Sequence, residues 1–310
     1  MTSALPTTLP DSGRAISTQG VSKQFRSRVA LRGLDLQVPM GGVYVLVGPN
    51  GAGKTTAIRT LLHSLRPDAG NVQVLGVNVR ERPDLVRANV GYVPEQLDWG
   101  YGWMRVGRLL EHHARYFPTW DAAYAEKLSR AFDLRSDQRM ATLSKGQARR
   151  VHWVMALSHR PPLVILDEPT DGLDPMMRSE TLGVLIDHLG DTPTAVLLAT
   201  HHVGEVERMA DYVGVIDGGK LIAQLGVSDL RQRLLRYCGE VPADWNGADG
   251  LGAQVLSRST RPKELDWIIW GQQTDLVATL TETHAVVRDV TPLSLEDATL
   301  AILNAQRRAV

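Results

Sequence analysis

The run GPNGAGKTT at Gly48–Thr56 sets glycines, a lysine and hydroxyl side chains at a spacing that can hold a chain of phosphates. Gly48, Gly53, Lys54 and Thr55 take the fixed positions of G-x-x-x-x-G-K-[ST], and Pro49, Asn50, Gly51, Ala52 and Thr56 complete the loop. Backbone N–H groups can curl around an anion only where side chains stay out of the way, and glycine permits that curl. A helix opening at Thr55 adds unpaired N–H groups and the positive end of its dipole. Lys54 then reaches the β- and γ-phosphates, and the Thr55 hydroxyl is placed for Mg²⁺. Average residue frequencies give such a match by chance in roughly one per cent of chains this long. The second chemical element is LVILDEP, in which an apolar strand ends in Asp167 and Glu168. Carboxylates at the C-terminal end of a strand lie on the ligand-binding edge of an α/β sheet. Asp167 would hold Mg²⁺, and Glu168 would polarise an attacking water, which fits phosphoryl transfer.

The elements that must position these groups can be read from periodicity. Ala15–Val38 predicts strands joined by a turn, Val43–Val47 a compact strand, and Thr56–Leu65 a helix with Ile58, Leu61, Leu62 and Leu65 on one face. Between about 98 and 160 the period becomes helical, with helices expected over Val106–Phe117, Trp120–Phe132 and Gln147–His159. Leu163–Leu166, Thr194–Thr200 and Val213–Ile216 read as strands, and Met177–Leu189 and His202–Ala210 as helices. Strands alternating with helices imply a largely parallel, doubly wound α/β core. The expected domains are a disordered tail over 1–15, a nucleotide-binding domain over 16–235 and a small α+β C-terminal appendage over 236–310 ending in the helix Leu295–Arg307. Trp99, Trp103 and Trp120 cluster in the insert, either as packing anchors or as a partner surface.

Composition narrows the function classes. The 34 basic and 34 acidic residues cancel, so no global charge favours nucleic acid or an anionic surface. The single cysteine, Cys238, cannot form a disulfide within the chain or a cysteine-based metal site. The other histidines read as ordinary. No run approaches the roughly 18 apolar residues of a membrane span, so a membrane role would need another chain to cross.

Three further motifs identify a resemblance. LSKGQ at Leu143–Gln147 resembles the LSGGQ signature of ATP-binding cassette (ABC) proteins, DGLDP at Asp171–Pro175 resembles the loop that follows their catalytic carboxylate, and His201 resembles their switch histidine. Phe25 matches the aromatic that stacks on adenine. The resemblance covers about residues 16–235 and implies a P-loop NTPase of ABC type: a mostly parallel core sheet with flanking helices, an antiparallel β subdomain and a helical insert. It implies ATP and Mg²⁺ as cofactors, with Thr55, Asp167 and Glu95 around the metal. Glu168 is then the general base, and His201 bonds the γ-phosphate and positions the water. Leu143, Ser144, Lys145, Gly146, Gln147 and Asp174 serve in trans, on the site of a second nucleotide-binding subunit. Two residues depart from the family pattern. Glu95 stands where the family has a loop glutamine, and Lys145 replaces the first signature glycine, which is tolerable if its backbone avoids the left-handed region and its side chain faces solvent.

Within that family RYFPTWDAAYAEKLSRAFDL and TPLSLEDATLAIL resemble the insert and tail of ABC-2 type bacterial exporter ATPases. This implies a cytoplasmic subunit, peripheral on the inner face of the membrane. It would drive export through integral membrane permease subunits on separate chains, whose short helix docks on the insert near Glu95. The alternatives are a non-transport ABC ATPase with soluble partners and an importer subunit.

Overall fold

The computed structural model describes residues 5–9, 13–96, 100–243, 245, 251, 255–258 and 263–308. Strands and helices are numbered in chain order. The central sheet holds β4 (Val43–Val47), β7 (Val90–Val93), β8 (Leu163–Asp167), β9 (Ala195–Thr200), β10 (Tyr212–Asp217) and β11 (Lys220–Gly226). Its order is β11-β10-β4-β9-β8-β7, parallel throughout except for the β10/β11 hairpin. All residues of β4, β8 and β9 are buried, which is why they read as unbroken apolar runs. A second sheet, antiparallel, contains β1 (Arg14–Phe25), β2 (Arg28–Leu34), β3 (Gln37–Pro39), β5 (Ala69–Val74) and β6 (Val77–Asn78). The helices α1 (Lys54–Leu61), α2 (Pro83–Ala88), α5 (Lys145–Leu157), α6 (Pro175–Asp191), α7 (Val203–Val206) and α8 (Val227–Arg233) flank these sheets. The insert adds α3 (Val106–Ala114) and α4 (Ala122–Ala131).

Residues 234–292 build their own antiparallel sheet, β13-β14-β12-β15, from β12 (Leu234–Glu240), β13 (Val255–Arg258), β14 (Glu264–Trp270) and β15 (Val286–Pro292). Leu235, Tyr237, Trp267 and Ile269 of this sheet bury against Leu276 and Leu280 of α9 (Gln273–Glu282). The last helix, α10 (Leu295–Arg308), instead lies in the core of the nucleotide-binding domain. Leu295, Ala298 and Ile302 pack with Val203 and Val206 of α7 and Leu230 of α8.

Several expectations change. The tail is not disordered throughout: Leu9 is buried, and the Gln224 main-chain N–H and side-chain amide donate to Pro6 O at 2.7 Å and Thr7 O at 2.8 Å. The helix expected over His202–Ala210 shrinks to four residues, after which the backbone tightens into a turn with the Met209 N–H donating to Val206 O at 3.1 Å. The helix expected from Gln147 begins at Lys145, because Ser144 caps it. Trp120 packs against the core, whereas Trp103 is 73% exposed. Trp99 lies outside the described residues.

Burial gives a testable pH dependence. It holds His113, His152, His159 and His188 neutral, each with its pKa lowered to about 4. His159 packs its ring 4.1 Å from that of Phe117, and His188 sits 2.9 Å from the Tyr124 hydroxyl. The unfolded chain takes up these protons below about pH 6.5, while the folded chain does so only near pH 4. Stability is therefore highest above pH 6.5 and falls as pH drops toward 4. The thermal midpoint is expected to fall between pH 7.5 and 5, and His159→Gln to shrink that fall. A midpoint flat over this range would contradict the assignment.

Candidate functional site

Register brings the chemistry to one edge. Val47 of β4 pairs with Thr200 of β9, and Asp167 of β8 pairs with Ala199. The residues that follow these strands are Gly48, His201 and Glu168, so all three leave the sheet side by side. Glu168 and His201 face a cleft of about 550 Å³ whose walls also include Phe25, Arg28, Asn50–Thr56, Glu95 and Asp171; Gly48, Pro49 and Asp167 lie behind this wall.

The glycine loop is held by sterics as much as by bonds. A Cβ on Gly48 would sit 2.2 Å from Ile216 O, and Gly53 adopts φ +111°, a backbone that side chains resist. Gly53 is the N-cap of α1, so the helix opens at Lys54, earlier than its periodicity predicted, and presents its first N–H groups to the cleft. Lys54 is buried. Its ammonium donates to Gly48 O at 2.7 Å and pairs with Glu168 Oε1 at 3.2 Å.

Thr55 Oγ1 lies 3.2 Å from both Glu95 Oε2 and Asp167 Oδ1, although its one proton serves only one acceptor at a time. Asp167 is fully buried, and its Oδ2 has no partner. Burial pushes the Asp167 carboxyl up to about 6; the Thr55 hydroxyl opposes the rise, and the charges of Glu95 and Glu168 add to it. An orphaned buried oxygen beside two carboxylates and a hydroxyl suits a hard cation. Among the described residues no group of three His, Cys, Asp or Glu side chains closes on a metal by itself. A cation here would complete its shell from phosphate oxygens and water.

Glu168 carries φ +47°, which aims its carboxylate at the cleft. Its Oε1 lies 3.0 Å from His201 Nδ1, and its Oε2 accepts the His201 main-chain N–H at 3.3 Å. Glu205 fixes the segment after His201 by accepting from Thr170 Oγ1 at 2.9 Å and from Arg178. Glu207 ties the same segment to the start of α10 by accepting from Leu295 N at 3.0 Å.

The signature lies elsewhere. Ser144 Oγ accepts from Gln147 N at 3.1 Å, and Gln147 Oε1 accepts from Ser144 N at 3.0 Å, forming a capping box at the start of α5. Leu143 anchors in the insert core and Gly146 is buried against Met177. None of residues 143–147, nor Asp174, lines the chain's own cleft. The Asp174 side chain caps α6 by accepting from Met177 N at 2.9 Å. Lys145 is helical, as a side chain requires, but its ammonium turns back to within 3.5 Å of Asp171 rather than simply to solvent.

Sequence reasoning missed Arg28, which donates to Gly51 O at 3.3 Å inside the cleft, and the fully buried Arg149. The signal for the second was available. Arg149 and Arg150 are adjacent in a helix otherwise packed on most sides, so one of them had to point inward.

Comparisons with known proteins agree with this geometry. Residues 31–171 match the family described as ABC transporter. The daunorubicin/doxorubicin resistance ATP-binding protein of Streptomyces peucetius is 35% identical, with 93% of this chain and 92% of that protein covered. The bacitracin transport ATP-binding protein of Enterococcus faecalis is 30% identical over 79% of this chain and 78% of its own length. A solved structure of the ATP-binding subunit of an ABC transporter superposes with a TM-score of 0.64 at 27% identity, covering 70% of this chain and 92% of its own. A relative 35% identical over nearly the whole of both chains, together with the glycine loop, Glu168 and His201 lining one cleft, shows that the chain belongs to the ABC transporter family as an ATP-binding, ATP-hydrolysing subunit.

Proposed function

We propose that two nucleotide-binding chains close over ATP and drive an ABC-2 type exporter whose membrane-crossing subunits are separate chains. Among the described residues no helix is long and apolar enough to cross a membrane. The reading places the chain on the cytoplasmic face of the membrane, docked through its insert, where Trp103, Tyr101 and Tyr116 are exposed. Relatives named for drug resistance, for bacitracin transport and for Nod factor export support a role in export. The observation that carries the dimer is the capped start of α5. Its first N–H groups have no helix partners, yet they do not line the chain's own cleft. A second chain's γ-phosphate would meet them, as anions meet helix N-termini generally.

In this reading Phe25 stacks on adenine, and the loop amides and Lys54 hold the phosphates. Thr55, Asp167 and Glu95 would hold Mg²⁺, which when bound supplies positive charge against the phosphate oxygens. Phosphate binding draws Lys54 away from Glu168, freeing the carboxylate to take a proton from the attacking water. His201, held by Glu168, orients that water. Detergent-solubilised membranes test the whole: the tagged chain is expected to co-purify with a polytopic protein. Recovery with soluble partners alone would overturn the transport reading.

A further inference from the structure

Arg149 sits in α5, five residues beyond the cap Ser144, with none of its surface exposed. A buried guanidinium demands acceptors. Among the described residues no carboxylate bonds it. It donates instead to two main-chain oxygens, that of Glu168 and, at 2.8 Å, that of Glu95, while its Nε stays unpartnered. Burial disfavours its charge, and the nearby carboxylates Asp171, Glu95, Glu168 and Asp167 offset part of that. An apolar side chain would avoid this cost, so packing alone does not account for an arginine.

The two oxygens belong to residues whose side chains face the cleft. Glu168 is the more demanding, since its left-handed φ of +47° persists in a residue with a Cβ only where the surroundings over-determine it. Its N–H donates to Ala199 O at 2.9 Å, and its oxygen also receives the Asp171 N–H at 3.1 Å. Among the described residues Arg149 supplies the one charged bond to this peptide.

We infer that Arg149 is a positioning residue for hydrolysis: by holding the Glu168 main-chain oxygen it fixes the Glu168 carboxylate, with the Glu95 carbonyl as its second anchor. This rests on the reading of Glu168 as the base. Arg149 also stands on the helix that begins at the signature, about 7 Å along the axis from Ser144. One rigid element thus carries both the surface offered to a second chain and the clamp on this chain's own carboxylate.

The test uses the full chain in single-turnover hydrolysis of radiolabelled ATP, with ATP affinity from calorimetry. Arg149→Lys keeps the charge but cannot fork to two carbonyls, and Arg149→Gln removes the buried charge, so folding of either one suffices. Each is expected to lower the rate about 10- to 100-fold while leaving affinity within about threefold. Because Arg149 acts through Glu168, the same change in a Glu168→Gln background is expected to lower the residual rate by less than about threefold. An undiminished rate in both variants would overturn the inference. So would an equal proportional loss in both backgrounds, or a loss of affinity as large as the loss of rate, which mark a scaffold role. Hydrolysis at the parent rate by Glu168→Gln alone would overturn the base assignment itself, and the inference with it.

Discussion

Glu168→Gln is expected to lower ATP hydrolysis by about 10²- to 10⁴-fold while leaving ATP binding in place. The amide keeps the size of the carboxylate, but its single carbonyl oxygen can replace only one of the two acceptors, Oε1 toward Lys54 or Oε2 toward the His201 main-chain N–H. It cannot take a proton from water. Two further consequences separate this reading from a purely structural role. With ATP bound and hydrolysis blocked, the closed dimer has no route to open, so light scattering is expected to show a doubled mass that persists with MgATP and disperses with ADP. The buried Lys54 ammonium then loses its carboxylate but keeps the Gly48 main-chain oxygen, so the thermal midpoint is expected to drop while the fold is retained. A variant that hydrolyses ATP at the parent rate would remove Glu168 from the chemistry. One that stays monomeric at saturating MgATP would remove the signature from its role in trans.

How much of this was legible in the sequence depended on how local each interaction is. The Gly48–Thr56 loop could be read residue by residue, since its glycines are required by contacts and dihedrals within a few residues, Gly53 at φ +111° among them. The strand ending at Asp167 was equally visible, because an interior parallel strand is apolar on both faces. The left-handed turn at Glu168 was not, because besides the local Asp171 N–H it is held by Ala199 and Arg149, which come from two other parts of the chain. The start of α5 was misplaced for a related reason. The helix was located by apolar spacing, whereas its first turn is set by the polar exchange between Ser144 and Gln147. The helix Leu295–Arg308 could be foreseen from its period, but not its destination beside Val203 and Val206. An amphipathic stripe announces that a face will be buried without naming what buries it.

Lys54→Ala attacks an earlier step, and its expected result is loss of nucleotide binding itself. The side chain is 6% exposed, and its ammonium sits between Gly48 O and Glu168; among the described residues only the ring of His201 also meets that carboxylate. Removing it deletes the charge-assisted bonds that hold the phosphates, each worth about 1.5–3 kcal/mol, so ATP affinity is expected to weaken about 10- to 150-fold. A thermal-shift titration reads this without any turnover. Ligand binding to the folded state stabilises it by RT ln(1 + L/Kd) at free ligand concentration L, so MgATP at a concentration above the parent's Kd but below the variant's should raise the parent's midpoint and leave that of Lys54→Ala nearly unmoved. The same variant strands a buried Glu168 without its cation, so its midpoint before any addition is expected to lie below the parent's. Glu168→Gln should restore part of that baseline when combined with Lys54→Ala, since the stranded charge is then gone, yet it should not restore the response to MgATP. Stability and binding therefore part company in the double variant. If Lys54→Ala binds ATP as tightly as the parent by calorimetry, the assignment of Gly48–Thr56 as the phosphate loop is wrong.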